Sequence, residues 1–214
     1  MQQVGPYFSL EKMRGAQTQA LQVMQAAAAQ FTTGMTEEEA VVLLTNMLAL
    51  AGVDTHWHPP IVRFGRNTSK VYHEKSDPTV SLQATDIFFI DIGPVFDGHE
   101  ADVGATFLRG DDPVLLRVQQ ACQQVFTEVA AHWTDTGISG QALYQFAAQR
   151  AAAYEMQLNH QIKGHRVGDF PHKLYASGQL GDYTAPLESG IWVLEIQLLD
   201  PLTGMGGFVE QVLF

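Results

Sequence analysis

Four acidic residues sit inside apolar stretches where an acid is costly. Asp91 interrupts Ile87-Phe88-Phe89-Ile90-Asp91-Ile92, and Asp102 follows just beyond a turn signal at Asp97-Gly98. Glu195 lies within Trp192-Val193-Leu194-Glu195-Ile196, and Glu210 within Phe208-Val209-Glu210-Gln211-Val212. Each stretch reads as a buried strand carrying one acid. An ionised carboxylate removed from water must be paired or coordinate a cation. Basic partners are scarce, with 12 Lys and Arg against 23 Asp and Glu. Acids in four such strands therefore predict a shared cation and metal-assisted chemistry.

Strand register brings these acids together in pairs. A two-residue turn at Asp97-Gly98 sets Asp102 opposite Gly93, with Asp91 two residues along on the same face. Such diagonal neighbours lie about 7–8 Å apart, within reach of one site. A reversal around Pro201-Leu202-Thr203-Gly204 sets Glu195 directly opposite Glu210. Like charges facing each other are destabilising, and a cation between them removes the conflict. A nitrogen ligand is offered by Gly164-His165-Arg166-Val167-Gly168-Asp169-Phe170-Pro171-His172. One imidazole with four carboxylates suits two divalent ions roughly 3.5–4 Å apart. Oxygen-rich ligation with one nitrogen fits Mn, Co, Fe or Zn.

The elements that must carry these groups are legible in outline. Residues 8–30 are Ala- and Gln-rich with helical spacing at Leu10, Met13, Leu21 and Met24. Thr36 with Glu39 forms a capping box that opens a second helix running to about Ala51. The stretch from His56-Trp57-His58-Pro59-Pro60 to Asp77-Pro78 reads as loop. Strands are expected at 87–96 and 100–108. Asp112 before Pro113 reads as a helix cap and first position, with the helix ending near Trp133. Ser139 caps another, ending near Tyr154, and the remainder is strand-like and punctuated by glycine. The order is α+β in one domain spanning residues 1–214, with no internal repeat at a solenoid period.

Composition narrows the function. Hydrophobic residues make up 46% of the 214 residues, enough for a core, and the net charge is −11. An acidic chain disfavours nucleic acid and anionic membrane surfaces as partners. No apolar run reaches membrane-spanning length, and the first residues do not resemble a signal peptide, so the expected compartment is the cytoplasm. A single cysteine, Cys122, excludes an intramolecular disulfide and reads as a small core or surface residue rather than a nucleophile.

These motifs resemble the pita-bread metallohydrolase superfamily, which holds the methionine aminopeptidases, prolidase, aminopeptidase P and creatinase. Asp91-Ile92-Gly93 with Ala101-Asp102-Val103 resembles the first two ligands, Gly164-His165 the third, and Leu194-Glu195-Ile196 and Val209-Glu210 the last two. The resemblance runs from about residue 10 to the end, without the N-terminal domain of the prolidase-type members. It implies a curved antiparallel sheet covered by helices on its outer face. It implies two divalent ions held by Asp91, Asp102, His165, Glu195 and Glu210, and a bridging water as nucleophile. Glu195 would relay the proton, and His172 and His73 would face the scissile amide. The implied activity is removal of N-terminal residues, of aminopeptidase or Xaa-Pro type, from a short peptide or small amide. A homodimer is left open. The alternative is a non-peptidase of the same fold, either a small-amide hydrolase or a metal-binding interaction module.

The chain departs from the family pattern around its ligands. Ile196 stands where proline usually follows the glutamate, Lys173 where an acid usually follows the second histidine, and Arg166 beside His165 where a small residue is usual. Three other histidines read as bystanders. His56 and His58 lack the cysteine partners of a closed zinc site, and His99 with Glu100 sits at a hairpin tip expected to be solvated.

Overall fold

The computed structural model describes residues 2–214. Helix α1 (Leu10–Ala28) buries Met13, Ala16, Ala20, Met24 and Ala27 along one stripe. Helix α2 (Glu37–Leu50) opens on the expected capping box: Thr36 accepts the Glu39 amide while the Glu39 carboxylate receives the Thr36 amide. Strand β1 (Thr55–Phe64) then pairs antiparallel with β2 (Asp86–Phe96). A short β3 (His99–Glu100) and β4 (Val103–Arg109) complete the hairpin. Helix α3 (Pro113–Thr136) is capped by Asp112, whose carboxylate accepts the Val114 amide at 2.7 Å, and ends on left-handed Gly137. Helix α4 (Gly140–Ala153) is capped by Ser139. The short strands β5 (Gln157–Leu158) and β6 (His165–Arg166) lead to β7 (Trp192–Leu199) and β8 (Gly206–Val212).

The eight strands form one sheet in the order β1-β2-β4-β8-β7-β5, with β3 on β2 and β6 on β7. Residues alternate across it. Ile90 and Ile92, flanking Asp91, enter a core with α1 and α2; Leu194 and Ile196, flanking Glu195, enter a second core with α3 and α4. Burying each such aliphatic side chain contributes about 1.5–3 kcal/mol, which holds the acids between them on the opposite face. The α+β expectation is met by this antiparallel sheet with four helices. Among the described residues, no helix is long and apolar enough to cross a membrane.

The first part of the stretch expected to be a loop, up to Phe64, is β1, and the remainder to Pro78 contains no strand. Pro59 and Pro60 lack an amide to donate, which argues against a central strand. Here β1 is an edge, and irregularities in its pairing between His56 and His58 and between His58 and Ile61 absorb the prolines. His99 and Glu100, expected in solvent, are each 1% exposed. The N-terminal segment covers the hairpin tip: the Ser9 amide donates to His99 Nε2 at 2.9 Å, and the Gly5 and Tyr7 amides donate to Asp169. That cover comes from the opposite end of the chain and leaves no local signal.

Candidate metal centre

Both register expectations hold in the structure. Asp91 pairs with Gly104, in the same register that brings the Ala101 amide to the Pro94 carbonyl, so Asp102 falls beside Gly93. Glu195 pairs directly with Glu210. The two hairpins meet where Gly104 pairs with Glu210. At this seam the Thr106 hydroxyl takes the place of a ladder partner, donating to the Phe208 carbonyl at 2.8 Å and accepting the Phe208 amide at 2.6 Å. Gly104 is obligatory here, because a Cβ would lie 2.4 Å from the Phe208 ring and 3.0 Å from Glu210 Cβ.

Asp91, Glu195 and Glu210 line a cavity of about 350 Å³ with His58, His165, Tyr72 and Lys173, and Asp102 is fully buried. His165 Nε2 lies 2.9 Å from Asp102 Oδ2 and 3.5 Å from Glu210 Oε1. Its Nδ1 lies 3.0 Å from the carbonyl of Arg166, which settles the ring orientation. Two overlapping groups emerge with ligand atoms within 4.8 Å of one another: His58, Asp91 and Asp102, and Asp102, His165 and Glu210. Asp102 belongs to both.

The donor set fits divalent metal. Asp91 Oδ1, Asp102 Oδ2 and Glu210 Oε2 are buried without a hydrogen-bond partner. Asp102 Oδ2 lies close to His165 but outside hydrogen-bond alignment. Atoms that approach closely without pairing are arranged around a common centre rather than bonded to each other. Orphaned buried oxygens are expensive and mark a missing positive partner.

The electrostatics agree. Burial raises the Glu210 carboxyl well above its usual range, with the charges of Asp102, Asp91 and Glu195 adding to it. Burial also raises Glu195, and it lifts Asp91 to about 6. Asp102 runs against its burial and is lowered by the close imidazoles of His165 and His58. Burial opposes charge on both imidazoles but is outweighed. The Asp91 charge and the Asp102 contact raise His58 to about 9, and Asp102 and Glu210 hold His165 well above its ordinary value. Like charges crowded at low dielectric retain protons unless a cation replaces them.

The other expected residues fall into three situations. His172 is buried beside the cavity, its Nδ1 2.5 Å from Glu100 Oε2, and its amide donates to Glu100 Oε1 at 3.0 Å. His73 is exposed and does not line the cavity. Its loop is clamped by the Arg63 guanidinium, which donates to the Val71 and Glu74 carbonyls, and by the Glu74 carboxylate on the Val71 amide. That clamp presents Tyr72 to the cavity instead. His58, read from sequence as a bystander, faces Asp91 and Asp102 directly. Cys122, expected as a small core or surface residue, is buried, and burial pushes its thiol up to about 12.

The profile of metallopeptidase family M24 matches residues 11–207. The chain belongs to that family. Comparison with curated protein sequences gives no match. Among solved structures, this M24 chain is similar to an X-Pro aminopeptidase from Thermotoga maritima MSB8, with 21% identity and a TM-score of 0.79 over 98% of this chain and 59% of that one. A prolidase from Pyrococcus horikoshii OT3 matches at 20% identity and TM-score 0.74, over 94% of this chain and 57% of that one. A methionine aminopeptidase from Thermotoga maritima matches at 15% identity and TM-score 0.74, over 98% and 93%. The chain thus spans less than two thirds of the X-Pro aminopeptidase and prolidase chains. At these identities the likeness is one of fold.

Proposed function

We propose that this M24 chain is a dinuclear metal-dependent exopeptidase that hydrolyses the N-terminal bond of short peptides, of aminopeptidase or Xaa-Pro type. The observation that carries the reading is the shared carboxylate: Asp102 belongs to two ligand groups at once, flanked by orphaned oxygens of Asp91 and Glu210. Asp91, Asp102 and Glu210 would hold one ion, and Asp102, Glu210, His165 and Glu195 the other. When bound, the ions supply an acidified water as nucleophile and positive charge for the developing oxyanion.

The chain's own residues do the rest. Glu195 lines the cavity, and its backbone is fixed from behind by Tyr144, whose hydroxyl donates to the Glu195 carbonyl at 2.8 Å. In this reading the Glu195 carboxylate accepts the proton of the attacking water and returns it to the leaving nitrogen, a role worth about 10²–10⁴-fold in rate. Glu100 binds both the amide and the Nδ1 of His172, directing the other ring nitrogen away from itself. Trp57 packs edge-on against the rings of His58, His165 and His172.

The test is incubation of Mn- or Co-loaded protein with Met-first, Xaa-Pro and other peptides, read by mass spectrometry. Release of single N-terminal residues is expected, lost in Asp91→Asn and reduced at least about 10²-fold in Glu195→Gln. Cleavage of no peptide, ester or amide by protein with two bound ions would sink the reading.

A further inference from the structure

We propose that His58 is itself a metal ligand, so that each of the two ion positions has one imidazole and Asp102 bridges them with one oxygen to each side. This rests on the dinuclear reading above and extends it to a residue outside the expected ligand set.

The argument is the likeness of two histidines on opposite sides of one carboxylate. His58 Nε2 lies 3.2 Å from Asp102 Oδ1 and 3.5 Å from Asp91 Oδ1. His165 Nε2 lies 2.9 Å from Asp102 Oδ2 and 3.5 Å from Glu210 Oε1. Each oxygen of Asp102 therefore faces a different imidazole, and each imidazole faces one further acid. Their other ring nitrogens are also treated alike. His58 Nδ1 is 2.9 Å from the Pro59 carbonyl, and His165 Nδ1 is 3.0 Å from the Arg166 carbonyl, the next residue in both cases. A carbonyl can only accept, so in each ring Nδ1 carries a proton, which leaves Nε2, the nitrogen facing the acids, as the atom that gives up its proton to bind an ion. That is the arrangement by which proteins orient histidine ligands.

The backbone is built around this placement. The extra residue in β1 between His56 and His58 shifts the strand against β2 and sets His58 opposite Gly93. A Cβ at Gly93 would lie 2.2 Å from His58 Cδ2 and 2.5 Å from His58 Nε2. Only glycine leaves room for the ring. Trp57 then wedges edge-on between the two imidazoles, with ring centroids 4.5 Å from His58 and 5.1 Å from His165. An otherwise all-oxygen position gains a nitrogen, which favours Zn, Co or Fe over Mn at that position.

The test compares wild type, His58→Ala and, as reference, His165→Ala. Bound metal is measured by elemental analysis after dialysis, and Co²⁺ titrations are followed by visible absorption and calorimetry, with circular dichroism confirming the fold. Wild type is expected to bind two ions. His58→Ala is expected to keep one and bind the second at least about 10-fold more weakly, with a changed Co²⁺ band. If His58→Ala misfolds, His58→Gln keeps the bulk and gives the same readout. Two ions bound by His58→Ala with wild-type affinity and spectrum would overturn His58 as a ligand and leave the dinuclear reading standing. One ion in wild type and two in His58→Ala would also overturn it, because the ring would then occupy the position as a cation. No ion bound by wild type would sink the dinuclear reading and this proposal together.

Discussion

The two halves of the sheet solve one problem by different means. In the first half, the chain turns tightly through Asp97 and Gly98 after β2, and Asp91 on β2 and Asp102 just before β4 face the site. In the second, β7 and β8 turn through a longer loop and carry two glutamates. Each half rests on its own helix pair and its own core. The tight turn is exposed, with Asp97 left-handed and paired to Lys12 at the surface. The longer turn is organised around Asp200, 1% exposed, which accepts from the Leu202 and Thr203 amides, the Thr203 hydroxyl and Arg117 of α3. The site lies where these unlike hairpins meet, so its geometry depends on both halves and on the seam between them.

The strongest way to break the comparison is to unload each core separately. Leu44→Ala in the first core and Leu194→Ala in the second should each cost about 2–5 kcal/mol, since both side chains are fully buried. In urea unfolding followed by circular dichroism, each variant should show one transition and the double variant should add within about 0.5 kcal/mol. Two separated transitions would show that the halves are independent folding units.

A smaller effect sharpens the role of the seam. Thr106→Val keeps the shape but leaves the Phe208 amide and carbonyl without their hydroxyl partner, costing about 1–3 kcal/mol. The loss should be larger than for the same exchange at exposed Thr127; equal losses would remove the seam as a structural requirement.

The smallest effect separates the two turns by pH. Burial works against ionised Asp200, but the Thr203 hydroxyl and Arg117 outweigh it and hold its carboxyl below the ordinary range. Its folded pKa is therefore depressed, so its stabilisation is complete above the ordinary carboxylate range and fades as pH falls through the lowered value. Asp200→Asn should be less stable than wild type near neutrality and converge with it in acid. A difference that is constant with pH would rule out the charge as the cause.

The acids were legible because each breaks an apolar run, and their pairing was legible because a turn fixes every register beyond it. Asp91 against Gly104 and Glu195 against Glu210 follow from the positions of two turns. His58 was hidden for the opposite reason. Its strand contains two prolines, carries no alternation, and reaches the site through pairing irregularities that no residue pattern announces. The burial of His99 and Glu100 depends on residues from the far end of the chain. His73 was expected at the site, but position along a loop does not set which way it faces. Arg63, reaching from β1, decides that.

Trp57 makes the centre optically visible. Its indole donates to the Ala101 carbonyl at 3.2 Å and is ringed edge-on by His58, His165 and His172. The other two tryptophans, Trp133 and Trp192, belong to the core beneath the second half. One of the three fluorophores therefore shares its immediate surroundings with the imidazoles of the candidate site. The chain carries an internal gauge whose emission follows their state without a label, a substrate or turnover.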